Sequence, residues 1–164
     1  LVGGVFNTVN QDVYEFRKKP NPLKLTYSNE DLSLWAKVRG INISFPRVFP
    51  VNSVKAMRGC LFAKKENKLE EFANNVFKAY WTRDIDISQE DSLLDVAVVS
   101  DLNSEDFKKF IYSPKAKESL KNNTEELIKR GGFGSPTFFY NDHMFFGNDR
   151  LSLFEESLQR GLLD

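Results

Sequence analysis

Cysteine and histidine are nearly absent from this 164-residue chain, which has one of each, Cys60 and His143. A single cysteine excludes an internal disulfide and any Cys-x-x-Cys redox pair. A lone histidine with no cysteine beside it offers no zinc ligand set, so no metal is expected. An excess of either charge is also lacking, since Lys+Arg and Asp+Glu stand at 23 each. That balance argues against a nucleic-acid footprint or an acidic tail. No apolar run approaches the ~20 residues needed to cross a bilayer. The expectation is a cytoplasmic chain without nucleic-acid or membrane partners, in which Cys60 is a buried, inert thiol.

What is present is aromatic and globular. Fifteen phenylalanines and a hydrophobic share of 41% suit one domain with a sizeable core. The stretch from Gly131 to Arg150 carries the most information. A glycine-rich break leads through Pro136 into an apolar run, Thr137 to Tyr140. Asn141-Asp142 turns the chain into a second run, His143 to Phe146, and a helix is expected from Asn148. Proline cannot donate to a sheet ladder, so Pro136 belongs at a strand start, with backbone beside it free for a ligand.

The rest reads as mostly helical. Leu1 to Phe6 looks like the inside of a strand and its exit, and Gln11 to Leu25 like a long polar loop. Ser28 to Asp31 would open a helix that Gly40 closes, and Ile41 to Val51 is extended and irregular around Pro46 and Pro50. Asn52 or Ser53 would cap the next helix, to about Lys65. Leu69, Phe72, Ala73, Val76 and Tyr80 share one helical face. Further helices are expected after Ser88, after Asn103 or Ser104, and after Ser113-Pro114. Leu151, Phe154 and Leu158 would form the buried stripe of the last helix.

Several motifs, in order, carry a family resemblance. They are Gly3-Gly4-Val5-Phe6, Phe49-Pro50-Val51-Asn52-Ser53 with Ala56-Met57-Arg58, Ala79-Tyr80-Trp81 with Asp84 to Ile87, Phe133 to Phe138, and Gly147 to Leu151. With these the chain resembles 2-hydroxychromene-2-carboxylate isomerases and the related kappa-class glutathione transferases, in the DsbA-like branch of the thioredoxin superfamily. The resemblance implies an α/β, thioredoxin-like (DsbA-like) domain with a large all-helical insertion. Residues 1–27 and 132–164 would form the thioredoxin-like part and 28–131 the insertion. The family's first strand and helix would lie upstream of Leu1, and with them the Ser-Pro-Tyr serine that holds the thiolate.

The resemblance also implies chemistry: a glutathione thiolate adding reversibly to a small conjugated carbonyl substrate. Pro136 alone would be read as trans, but the family places a cis-proline here, aiming the Ser135 backbone at glutathione. Asn148 and Asp149 read as a helix cap and a first-turn acid. In the family this corner binds the γ-glutamyl end. Lys24 matches a lysine that contacts glutathione in kappa transferases, and Gln11 stands where the family has an asparagine. Asn52 and Ser53 could line the substrate pocket as well as cap a helix. Arg150 reads as an ion-pairing residue, and Trp35 and Trp81 as core or pocket wall. The family allows a homodimer. Alternatives are a kappa-type transferase, a non-catalytic glutathione-binding protein, and a disulfide oxidoreductase whose Cys-x-x-Cys would have to lie upstream.

Overall fold

A computed structural model describes residues 1–163. The chain divides into two units, one of Leu1–Lys19 with the residues from Asn122 onward, the other of Pro20–Lys121. The sequence drew these lines at 28 and 132. Pro20 precedes a helix where a loop was expected, and the late helix is tied through Thr124 to the chain's first residues.

In the first unit, α1 (Val2–Val9) and α2 (Asp12–Lys18) replace the expected strand and loop. The reason is backbone satisfaction. Among the described residues the sheet has two strands and residues 2–9 pair with neither, so their amides are satisfied within the helix. Gly4 lets α1 come close to α8 (Pro114–Lys129), because a Cβ there would lie 3.1 Å from Thr124 Cγ2. The Leu1 amino group donates to Thr124 Oγ1 at 3.1 Å, and Val5 is buried. Helix α2 carries Asp12 and Glu15 early and Arg17 and Lys18 late, which suits the helix dipole.

The hairpin forms where the alternating runs and turn residues placed it. Strands β1 (Thr137–Tyr140) and β2 (His143–Phe146) are antiparallel, with Thr137 opposite Phe146 and Tyr140 opposite His143. Asn141 takes φ 50° in the turn, a conformation that asparagine tolerates. A 3₁₀ turn, Asn148–Arg150, leads into α9 (Leu151–Gln159). Phe154 of α9 packs on Phe145, ring centroids 5.0 Å apart. Leu158, expected inside, is exposed, and Ser157 is buried in its place.

The second unit is helical. Helix α3 (Pro22–Arg39) starts six residues before the expected Ser28. Asn21 Oδ1 accepts from the Leu23 and Lys24 amides at 3.0 and 3.3 Å, and Pro22 suits the first helical position. Gly40 closes α3 in the left-handed region at φ 64°, and the Ile41 amide reaches back to the Ala36 carbonyl. Helices α4 (Val54–Lys65), α5 (Leu69–Phe77), α6 (Glu90–Val99) and α7 (Ser104–Tyr112) surround one core. Phe72, Leu93, Phe107 and Ile111 are fully buried there.

The start of α4 is held by Asn52, whose Oδ1 accepts from the Val54 amide, and α7 is capped by Asn103. A π-helical turn, Lys78–Thr82, follows α5, so Tyr80 lies beyond α5 itself. It anchors the irregular segment before α4. Tyr80 donates to the Val48 carbonyl, Thr82 to the Asn42 carbonyl, and the Ser44 amide to the Trp81 carbonyl. The Phe49-Pro50 peptide is cis. Trp81 joins Phe45, Phe49 and Tyr80 in an aromatic cluster, while Trp35 is half-buried under Arg39.

Gly59 sets how closely α4 approaches the core rings. A Cβ at that position would lie 2.7 Å from Phe107 Cζ and 2.8 Å from Phe72 Cζ. Alanine gains about 1 kcal/mol of helix propensity over glycine. Overpacking against two fully buried rings costs about 1–3 kcal/mol and should win. Gly59→Ala is expected to lower the stability of the chain, measured by denaturant unfolding.

Burial raises the half-buried Cys60 thiol from an ordinary value near 9 up to about 11. The raised value favours the folded state below pH 9, and that contribution is lost as pH rises through 11. Native Cys60 should react with iodoacetamide at pH 8 roughly a hundredfold more slowly than in the unfolded chain. Mass spectrometry of timed aliquots measures it.

Candidate functional site

The glycine-rich segment before β1 is shaped by close contacts. Gly131 takes φ 90°, and at Gly132 a Cβ would lie 2.5 Å from Leu127 Cδ1. Neither position suits a larger residue. Gly134 lies under the Phe146 ring, where a Cβ would come within 2.7 Å of Cε2. Phe133 packs against the same ring at a tilt, centroids 4.5 Å apart. Asn10 Nδ2 donates to the Phe133 carbonyl at 3.0 Å, so the end of α1 is tethered two residues before Ser135. Thr137 Oγ1 donates to the Gly134 carbonyl at 2.8 Å, bridging across Ser135 and Pro136.

The Ser135-Pro136 peptide is cis, as the resemblance implied and the residues alone did not. The Pro136 carbonyl accepts from the Gly147 amide at 3.0 Å, one residue beyond the β1–β2 ladder. This bond joins the two ends of the hairpin and sets Pro136 beside the start of the Asn148–Arg150 turn. Gly147 takes φ 112°, and a Cβ there would lie 2.5 Å from Asp149 Oδ1. The positive φ is what favours glycine at this position, since the exposed Asp149 side chain could swing away from a Cβ.

Ser135 and Pro136 are exposed, and Ser135 has no hydrogen-bond partner among the described residues for its N–H or C=O. An exposed N–H and C=O beside the start of a strand form the rung to which an extended peptide can add. Asn148 is half-buried and does not cap, since Gly147 occupies the capping position and no side chain bonds there. The tight 3₁₀ start leaves the Asn148 side chain outside the cap geometry. Asp149 is exposed and pairs with Arg150, Oδ2 to Nη1 at 3.1 Å. The corner thus offers a free backbone rung, a carboxylate and a guanidinium, a set suited to a zwitterionic peptide end.

Four of the expected site residues, Ser135, Pro136, Asn148 and Asp149, lie at this corner. Gln11 follows the Asn10 tether, and its Nε2 donates to the Asn7 carbonyl at 3.0 Å. Lys24, Asn52 and Ser53 belong to the other unit. Lys24 is in the first turn of α3, not in a loop, because Asn21 starts the helix before it. Ser53 occupies the capping position of α4 and contributes only its carbonyl, to the Met57 amide, whereas Asn52, one residue earlier, accepts from the Val54 amide through its side chain. Sequence reasoning missed three residues that build the corner: Asn10, Thr137 and Gly147. Only Gly147 left a local signal, a glycine between a strand and an Asn-Asp helix start.

Comparison with known proteins gives the family. A family described as DSBA-like thioredoxin domain matches residues 3–159. The chain is 33% identical to 2-hydroxychromene-2-carboxylate isomerase of Pseudomonas putida over 140 residues, 84% of this chain and 67% of that protein. It is 32% identical to human glutathione S-transferase kappa 1 over 146 residues, 80% of this chain and 65% of that protein. A solved 2-hydroxychromene-2-carboxylate isomerase structure superposes with a TM-score of 0.75 at 34% identity, covering 84% of this chain and 67% of the other. The chain spans about two thirds of the length of these relatives. Its fold is that of a DsbA-like thioredoxin domain that is mostly helical, and the chain belongs to the DSBA-like thioredoxin domain family.

Proposed function

We propose that the hairpin corner is the glutathione site of a glutathione-dependent isomerase of the 2-hydroxychromene-2-carboxylate type. The observation that carries this reading is the exposed, unpartnered backbone of Ser135, held beside Asp149 and Arg150 by the Gly147 to Pro136 bond. The Ser135 N–H would donate to the cysteinyl carbonyl of the tripeptide, and the Ser135 C=O would accept from its amide. Asp149 would accept from the γ-glutamyl ammonium and Arg150 would meet its carboxylate. Gln11 retains a side-chain carbonyl with no partner among the described residues. It would contact a polar end of glutathione.

Bound glutathione supplies a thiolate that adds to a conjugated carbonyl substrate, turns the double bond into a rotatable single bond, and leaves again. Neither Ser-Pro pair of this chain fits the serine that holds the thiolate in the family. Ser113 caps α8 through the Ala116 amide, and Ser135 precedes the hairpin. No residue named here is therefore assigned that role. A kappa-type transferase would use the same corner and differ in releasing the conjugate.

Calorimetric titration of the full natural chain with glutathione tests the reading. Binding is expected, and Asp149→Ala should weaken it about three- to tenfold, the worth of one partly solvated charge-assisted contact. A wild-type chain that takes up no glutathione contradicts it.

A further inference from the structure

Helix α3 forms one wall of a cavity of about 890 Å³ within its own unit. At about 100° per residue, Leu25, Asn29, Leu32, Ser33 and Ala36 share the face that lines it. The extended residues that follow α3 border the cavity with Ile41, Ile43 and Phe45. Leu25, Ile41 and Phe45 are 43%, 53% and 64% exposed, so the apolar wall is accessible from outside. A second cavity, of about 380 Å³, adjoins the first, since Leu32, Ile41, Asn42, Ile43 and Thr82 border both. Small-molecule sites measure about 300–1,000 Å³ and combine a mainly apolar lining with a few polar groups. The larger cavity has both properties.

The polar groups select the ligand. Lys37 lines the larger cavity and Lys78 the smaller, while neither lining contains an aspartate or a glutamate. Neither lysine has an ion-pair partner among the described residues. The acids of α3, Glu30 and Asp31, border neither cavity, and Glu30 belongs to a neighbouring hollow that also touches Lys37. The backbone amides of Asn42 and Ile43 have no hydrogen-bond partner among the described residues. Both follow the end of α3 that carries Lys37. An ammonium and two free N–H groups beside an apolar wall suit a carboxylate on an apolar body.

Length narrows the choice of body. From Leu25 to Lys37 the wall runs about 18 Å along the helix axis. An extended alkyl chain advances about 1.3 Å per carbon on bonds of about 1.5 Å, so about ten to twelve carbons lie along this wall with a head group at Lys37. A single aromatic ring would leave most of it uncovered. We infer that the cavity binds a straight-chain fatty acid of this length. Its carboxylate accepts from the Lys37 ammonium and the Asn42 and Ile43 amides, and its chain lies along Ala36, Leu32 and Leu25. The site shares no residue with the hairpin corner and requires no glutathione.

Calorimetric titration of the full natural chain with decanoate should give a dissociation constant below about 1 mM, changed by less than about twofold when glutathione is present. Decyltrimethylammonium, the same chain length with a cationic head, should bind at least about tenfold more weakly. Lys37→Glu should weaken decanoate about three- to tenfold and strengthen the cationic analogue, a reversal that a folding defect would not produce. Leu32→Glu should weaken decanoate at least about tenfold, with circular dichroism as the check on its fold. In nuclear magnetic resonance spectra, decanoate should shift the Asn42 and Ile43 amides and leave the Ser135 amide in place. No uptake of millimolar decanoate by the wild-type chain, equal affinity for the two head groups, a Lys37→Glu variant that treats both probes as wild type does, displacement by glutathione, or shifts centred on Ser135 overturns the inference.

Discussion

One backbone hydrogen bond, from the Gly147 amide to the Pro136 carbonyl, organises the candidate site. It closes the hairpin beyond its last ladder pair and joins the residues before β1 to the turn after β2. Without it, Ser135 and Asp149 would sit on two loose chain ends. The positive φ of Gly147 is what makes the bond compatible with the turn that follows.

A two-stranded hairpin is marginal by itself, and the surrounding contacts explain how this one keeps its shape. Phe133 and Phe146 pack against each other at the corner, Phe145 packs on Phe154, and Arg130 lies 4.0 Å above the Phe139 ring while its Nη2 donates to the Asn141 carbonyl. Each aromatic contact contributes about 0.5–1.5 kcal/mol beyond area burial. Together they are comparable to the stability of a short hairpin. The candidate edge is left open while its opposite features are held, an arrangement that would limit the reorganisation needed if a ligand added there.

Much of the fold was legible because its signals are local. Pro136 and Asn141-Asp142 punctuate two apolar runs, so both strands appear at the expected residues. Asn52, Asn103 and Ser113 announce α4, α7 and α8 by capping chemistry that depends on a few neighbouring atoms. The start of α3 was equally local, but the prolines around Asn21 read as a loop instead of a cap with proline at the first helical position. Residues 1–6 were misread because Gly3-Gly4 disfavours a helix by propensity, while contact with Thr124, more than a hundred residues away, favours one. The Asn10 to Phe133 bond spans a similar separation and could not be read from either segment. The cis state of Pro136 followed from family resemblance alone.

Amide hydrogen exchange at Ser135, followed by nuclear magnetic resonance with and without glutathione, tests the central claim most directly. The account predicts a fast-exchanging Ser135 amide in the free chain that becomes protected when glutathione is added, while the Gly147 amide is protected in both. A Ser135 amide already protected in the free chain, or one that glutathione leaves unchanged while amides elsewhere respond, would contradict it.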